Sequence, residues 1–380
     1  SNPGTLALPF LTINHGMDVL TAGQSLAIRG GTYTENLDGA LPPAGTSWAT
    51  ATKISAYLTE TVINKPASGR SGAQSLLLSN GKNYIIFEDI IFDSDYPTIA
   101  PTVAGTPSIK LTGTAHHIRF NSCTVRNSDS TGVLVNTASL GDVSTNHEFL
   151  DCIVHNMALN LAYGPGGNCF YVESGDNLIR GGECYDNDRG FGVRFWSSAA
   201  NVFANRNIAE RVKIHDCLAG MTLGDDANRA RNNLVYNIAE VAFRVGTKAG
   251  VGNKFHNNVG YNCLGQDGYS TGFYIHAAST DAQFKNNILY ANNAARPQVT
   301  DLGSTNTIYA KNLSEQSGLG IAIVDNPDFV DPTNFDFHLQ SVSPARNTGD
   351  NLSPDVTDDF DGNARPLGSA YDIGAFEFVE

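Results

Sequence analysis

Arg194 and Arg244, followed by Lys248, Tyr274 and His276, are the residues of this chain whose types and spacing best suit chemistry on a charged polymer. A guanidinium binds a carboxylate through two parallel hydrogen bonds. A phenol, an imidazole or an amine next to it can then remove or supply a proton. Those are the parts that β-elimination beside a carboxylate needs: neutralise the carboxylate, abstract the adjacent proton, and assist the departing oxygen. Catalytic candidates are therefore Arg244, Lys248, His276 and Tyr274. A second set, Glu173, Asp188, Asp225 and Asp226, offers carboxylate pairs, and hydrolysis of a glycoside uses two carboxylates about 5 to 9 Å apart. For any one of these side chains the plain alternative is a solvated surface residue in a local ion pair.

These residues need a scaffold that repeats, and the sequence contains one. Segments of the form apolar-x-apolar-polar-Asn end at Asn127, Asn156, Asn187, Asn237, Asn262 and Asn292, with Asp216 in the same place in VKIHD. Their spacing, about 21 to 31 residues, fits one turn of a parallel β-solenoid with loops of variable length. Each stop is followed by a second short alternating strand: VLV, FYV, FGVRF, MTL, FRV and FYI. The reading is two strands per coil, with the Asn residues stacked as an internal amide ladder. Alternation sends Val172, Val193, Leu223, Val245 and Ile275 inward. One outward column is then Tyr171, Gly192, Thr222, Arg244 and Tyr274, and its neighbour is Glu173, Arg194, Gly224, Gly246 and His276. With Trp196, Asp225, Asp226, Arg229 and Lys248 from the loops, this is an aromatic and charged strip of the kind that binds sugars.

The fold class is thus all-β, a single domain over residues 1–380. Residues 1–36 form an N-terminal cap with a short amphipathic helix and a first strand, 37–75 a loop excursion, 76–324 the coils, and 325–380 a C-terminal cap. Of the six cysteines, Cys123, Cys152 and Cys184 occupy one repeat position and Cys217 and Cys263 another, which stacking inside a solenoid explains; a disulfide framework is the competing account. Neither a CxxC pair nor Cys/His zinc spacing is present. Asp359, Asp361, Asp372 and Glu377 with Arg365 read as an Arg–carboxylate network fastening the cap. His116 and His117 begin a strand and receive no role.

A net charge of −14 argues against nucleic acid and anionic membranes as partners. No apolar run approaches the length of a spanning helix. Only 16% of the residues are charged and 38 of 380 are glycine, a balance that favours sheets and turns over helices.

The opening NPGTLALPFLTI…LTAGQSLAIRGGTYTE and the ending DDFDGNARPLGSAYDIGAFEF, together with the repeats, resemble secreted bacterial right-handed parallel β-helix proteins of the pectate-lyase-like superfamily. The coil CYDNDRGFGVRFW resembles the calcium-binding coil of family 9 pectate lyases, patterned N-S-D-D-G-F-D. On that alignment Asp188 keeps the first carboxylate, whereas Arg189 and Gly192 replace the other two; calcium prefers six to eight oxygen ligands. The family's catalytic lysine aligns with Thr222, too weak an acid to serve alone as base. Arg244, one coil further on, is the nearest basic residue in an equivalent position. The resemblance implies a secreted, extracellular or periplasmic protein acting on polysaccharide, with calcium as its cofactor where the site is intact.

The leading expectation is a polysaccharide lyase, or lyase-like protein, acting on a uronic-acid glycan. Its substrate-binding residues are Tyr171, Glu173, Arg189, Arg194, Trp196, Asp225 and Asp226, and Asp188 is the one metal candidate. A noncatalytic structural, adhesin or filament protein that self-associates is the alternative from another class. A glycoside hydrolase with paired Asp/Glu ranks third.

Overall fold

The computed structural model describes residues 2–136, 144–161, 166–197, 204–246 and 250–380. The chain groups into two compact units: residues 1–190 with 197–203, and residues 191–196 with 204–380. Each is built of parallel coils, and among the described residues the regular elements, apart from the helix Ile13–Asp18 and a few short 3-10 turns, are strands. No helix among the described residues is long and apolar enough to cross a membrane.

Alternation makes the strands. In Thr52–Ala56 and Asn83–Glu88 every second side chain is buried, and successive coils place like residue above like. Thus Phe92, Val125, Val154 and Cys184 lie level inside the first unit, and Ile214, Val235, Gly260 and Leu289 inside the second. Each coil carries three strands, where the sequence indicated two. The missed ladder runs through Asn83–Glu88, His116–Asn121, Glu148–Leu150 and Leu178–Arg180 in the first unit. In the second it runs through Ile208–Glu210, Arg229–Arg231, Lys254–His256, Gln283–Lys285 and Ile308–Ala310. Most of these strands are three residues with one buried centre, too short for alternation to register. That centre stacks aromatics: Phe120 lies 5.2 Å from Phe87 and 5.5 Å from Phe149 with near-parallel rings. The stretch 37–75 is likewise not one excursion, because Thr52–Ala56 and Val62–Lys65 are strands of the first coils.

The amide ladder exists in a different place. Asn127 and Asn156, like Asn237 and Asn262, stack with amide contacts of 3.1 and 2.8 Å, but in left-handed turns that are partly or fully exposed. Asp186 and Ala291, not Asn187 and Asn292, hold the matching left-handed positions. A buried ladder is formed by Asn233, Asn258, Asn287 and Asn312, the last residues of the turns RNN, HNN, KNN and AKN. The Nδ2 of each of the first three reaches the next Oδ1 at 2.9 to 3.0 Å and also donates to a carbonyl oxygen on a neighbouring coil, whereas Asn312 Nδ2 donates to the carbonyls of Phe284 and Gly320. All four are essentially inaccessible. Asn258→Ala strips the backbone N–H and amide of Asn233 of their acceptor. We expect a loss of about 2–3 kcal/mol in urea unfolding, whereas Asn262→Ala, at an exposed turn, should cost less than half as much.

All six cysteines are unbridged and buried, so stacking, not a disulfide framework, explains their spacing. Burial pushes the Cys152 thiol up to about 12, which keeps it inert.

The segment 325–380 lies along the flank of the second unit. Phe329, Phe337, Leu339, Ile373 and Phe376 bury the outward residues Leu234, Tyr236, Val259, Ile288 and Leu313. Arg365 fastens it. Its guanidinium donates to Glu377 (2.7 Å), to the carbonyls of Asp372 and Gly374, and through Nε to that of Asp358. Asp359 and Asp372 accept backbone N–H groups of the same segment. The expected network is present, except that Asp361 instead accepts from His338. Side chains of three successive turns hold the segment from below: Asn232 donates to Asp358 O, Asn257 to Asp372 O and Gly374 O, and Asn286 to Asp350 O.

Candidate active site

The second unit has three outer faces. One is covered by the C-terminal segment. On the face made by Arg229–Arg231 and Lys254–His256, Asp355 pairs with Arg229 and Lys254, and Arg231 with Glu210. The third face carries Arg194 and Arg244.

Register places its residues. Leu223 is level with Val245, and Gly246 N donates to Leu223 O. Gly224 N donates to Phe195 O in the same way, so Phe195 is level with Leu223. Arg194 therefore shares a row with Thr222, Arg244, Tyr274 and Thr300. This corrects the sequence parity, which had put Gly192 in that row. Gly192 is buried, and a Cβ there would lie 2.3 Å from Ile214 Cγ2. The parallel row holds Trp196, Gly224, Gly246 and His276. A Cβ on Gly224 would come within 2.2 Å of Trp196 Cδ1, so the glycine lets the indole lie against the sheet.

The Arg194 guanidinium sits 4.2 Å from the Trp196 ring centroid and 5.1 Å from that of Phe191. Arg244 lies 5.2 Å from the Tyr269 ring and 6.0 Å from Phe191. Tyr269 in turn meets Tyr274 edge-on at 4.8 Å. Such cation–π contacts hold a guanidinium without neutralising it. Among the described residues no carboxylate lies within ion-pair distance of Arg244. Between the two arginines Thr222 is 3% exposed, and among the described residues its hydroxyl has no hydrogen-bond partner. His276 is half-buried with Nδ1 unpartnered.

Glu240, which the sequence reading missed, is 9% exposed. Burial raises its carboxyl above the usual range; Arg244 draws it back down and Asp267 pushes it up again. Its nearness to Arg244 arises because residues 239–242 turn directly into the strand Phe243–Val245. Glu240 and Tyr269 both lie in turns, so strand alternation could not reveal them.

Three other candidates, Asp225, Asp226 and Arg189, hold backbone groups in place. Asp225 is 2% exposed and accepts from Ala204 N, and Asp226 accepts from Val251 N. Both organise the turns of their coils. In the first unit Tyr171 points outward, level with Leu134, and Glu173 follows it. Arg189 donates to the carbonyls of Asn160 and Leu161, while Asp188 is exposed. Lys248 lies outside the described residues.

A family model for the right handed beta helix region matches residues 107–312, more than half of the chain. The chain belongs to the right-handed β-helix family. Among curated protein sequences none matches it significantly. Of the solved structures, pectate lyase Pel9A is similar with a TM-score of 0.69 at 14% identity, over 99% of this chain and 92% of that one. A complex of XylC with xylose gives 0.63 at 12%, over 99% and 97%. The GH136 lacto-N-biosidase from Eubacterium ramulus gives 0.60 at 12%, over 82% of this chain and 65% of that one. At these identities the likeness is one of fold.

The coil that resembles a calcium site does not fit that ion in this β-helix. Its second and third carboxylate positions are Arg189, tied to carbonyls, and the buried Gly192. Among the described residues no group of three or more His, Cys, Asp or Glu could hold a metal.

Proposed function

We propose that this β-helix binds a uronic-acid polysaccharide on the Arg194–Arg244 face of its second unit and cleaves it by β-elimination. One observation carries the reading: in a protein of net charge −14, Arg244 is held between aromatic rings with no described carboxylate at ion-pair distance. Arg244 neutralises the uronate carboxylate and so acidifies the hydrogen on the neighbouring carbon. Tyr274, adjacent in the row, or His276, two residues on in the parallel row, takes that proton. Glu240, kept in reach of its protonated form by burial, returns a proton to the departing glycosidic oxygen. Pectate lyase Pel9A and the XylC–xylose complex, similar in fold, support a carbohydrate partner. Carboxylate-pair hydrolysis has less support, because Asp225 is committed to Ala204.

Incubation with pectate, alginate and other polyuronides tests this. Unsaturated chain ends absorbing in the ultraviolet are expected; reducing ends without that absorbance would point to hydrolysis, and binding without either product to a noncatalytic glycan-binding protein. A chelator should leave the rate unchanged, and a strict calcium requirement would sink the metal-free mechanism. Glu240→Gln should lower kcat about 10- to 100-fold with little change in KM.

A further inference from the structure

The most unusual cluster outside that face is in the first unit, where the strands Asn83–Glu88 and His116–Asn121 meet the segment around Trp48. Tyr84 and His117 both sit in the left-handed region, at φ 48° and 54°. Bulky residues rarely occupy it, and most comparable turns in this chain use Asn or Asp. Their rings stack at 4.6 Å, and Trp48 packs on both, 5.4 Å from Tyr84 and 5.9 Å from His117. Trp48 belongs to a segment otherwise held by few polar contacts: Gly45 N donates to Asn83 O, and Lys82 donates to the carbonyls of Ala40 and Pro42.

His116 and His117 face each other through their Nδ1 atoms at 2.8 Å. Two such nitrogens bond only if one carries a proton and the other does not. Asn83 Nδ2 lies 3.3 Å from His116 Nε2; donation from the amide leaves the proton on His116 Nδ1 and makes His117 Nδ1 the acceptor. Behind the pair His147 is fully buried, accepting from Ile118 N at Nδ1 with Ser144 at Nε2.

The charged and titratable groups around the pair are Lys82 and Tyr84 from the preceding coil, with Asp38 acting on Lys82. Arg119 lies on the same strand, and His147 and Glu148 on the next. Among the described residues Glu148 is the carboxylate acting on His117, and Arg119 already holds it at 2.7 Å while lying 4.1 Å over Trp48. None of the described carboxylates hydrogen-bonds either imidazole of the pair.

We propose that His116 and His117, backed by His147, form an acid-sensitive clasp that fastens the Trp48 segment to the coils and lets it go when the neutral pair takes up one further proton. A proton arriving on His117 Nδ1 abolishes its role as acceptor and sets two N–H donors face to face, one of them on a charged ring. The surroundings agree in direction. Burial, then His116, lowers His117, and burial with both neighbours lowers His147 from 6.5 to about 3. For bases held low in the folded state, the stabilisation is complete above the unfolded value of 6.5 and is lost as pH falls below it.

Trp48 and Trp196 are the only tryptophans, so Trp196→Phe leaves Trp48 as the sole reporter. Its emission should change in one transition as pH falls below about 6, with hydrogen exchange of residues 42–51 rising at least 10-fold at pH 5 relative to pH 7.5 after correction for intrinsic rates. His117→Asn, which suits the left-handed backbone, should remove the transition. A flat Trp48 signal from pH 8 to 4.5, unchanged exchange in the unsubstituted protein, or a transition that survives His117→Asn would each overturn the proposal. Because His256 is also buried and held low, global acid unfolding is no substitute for this local readout.

Discussion

Arg244→Ala should reduce kcat/KM on an unesterified polyuronide by about 100- to 1,000-fold, the scale of losing a principal charge-stabilising group. Arg244→Lys should recover little, because an ammonium cannot grip a carboxylate bidentately. Thermal stability should barely change. The guanidinium contributes two cation–π contacts, with Tyr269 and Phe191, worth roughly 0.5–1 kcal/mol each at a partly open site. Steady-state kinetics on the free and the methyl-esterified polymer separate the effects: the unsubstituted protein should prefer the free acid, and the Ala variant should lose that preference. Equal rates on both polymers for both proteins would remove Arg244 from the mechanism.

Arg365→Met should have the larger effect on folding, about 3–5 kcal/mol, because it leaves a carboxylate buried without its cation. Side chains of Arg365 and Glu377 are 0% and 1% exposed and meet at 2.7 Å. The guanidinium also satisfies the carbonyls of Asp358, Asp372 and Gly374. Burial lowers the Arg365 guanidinium and raises Glu377, each opposed by the other's charge, so both depend on the pair staying intact. Equilibrium unfolding in urea measures the loss. Adding Glu377→Gln should restore part of it, since a neutral amide costs less to strand than a charge; no recovery would mean that the carbonyl contacts, not the ion pair, dominate.

The solenoid was legible because its repeat is written in side chains that stack. The apolar residues before Asn127 and Asn156 report the inner face of one ladder directly. The third strand was not legible: EFL and LIR bury only their central residue, and beside it Leu150 and Leu178 are only partly buried, so residue type does not mark the inner face. Asn ladders were visible as a type but misplaced, since in RNN, HNN and KNN the first Asn takes the left-handed turn and only the second points inward. Arg244 and Tyr274 were placed on the right row because FRV and FYI alternate cleanly. Arg194 was not, because FGVRF contains two inward residues, Val193 and Phe195, and nothing in the residue types says which is level with Leu223. Glu240 had no periodic signal. Only the path of its turn brings it to Arg244.

The flanking segment also acts as a ruler. Asn232, Asn257 and Asn286 each grip a fixed point on it, so it measures out three consecutive turns of the screw. An extra turn inserted among them would shift every later anchor by one rung and leave Arg365 facing the wrong carbonyls. Changes in length during divergence should therefore accumulate outside residues 232–286, and a designer wishing to extend this scaffold should cut there too.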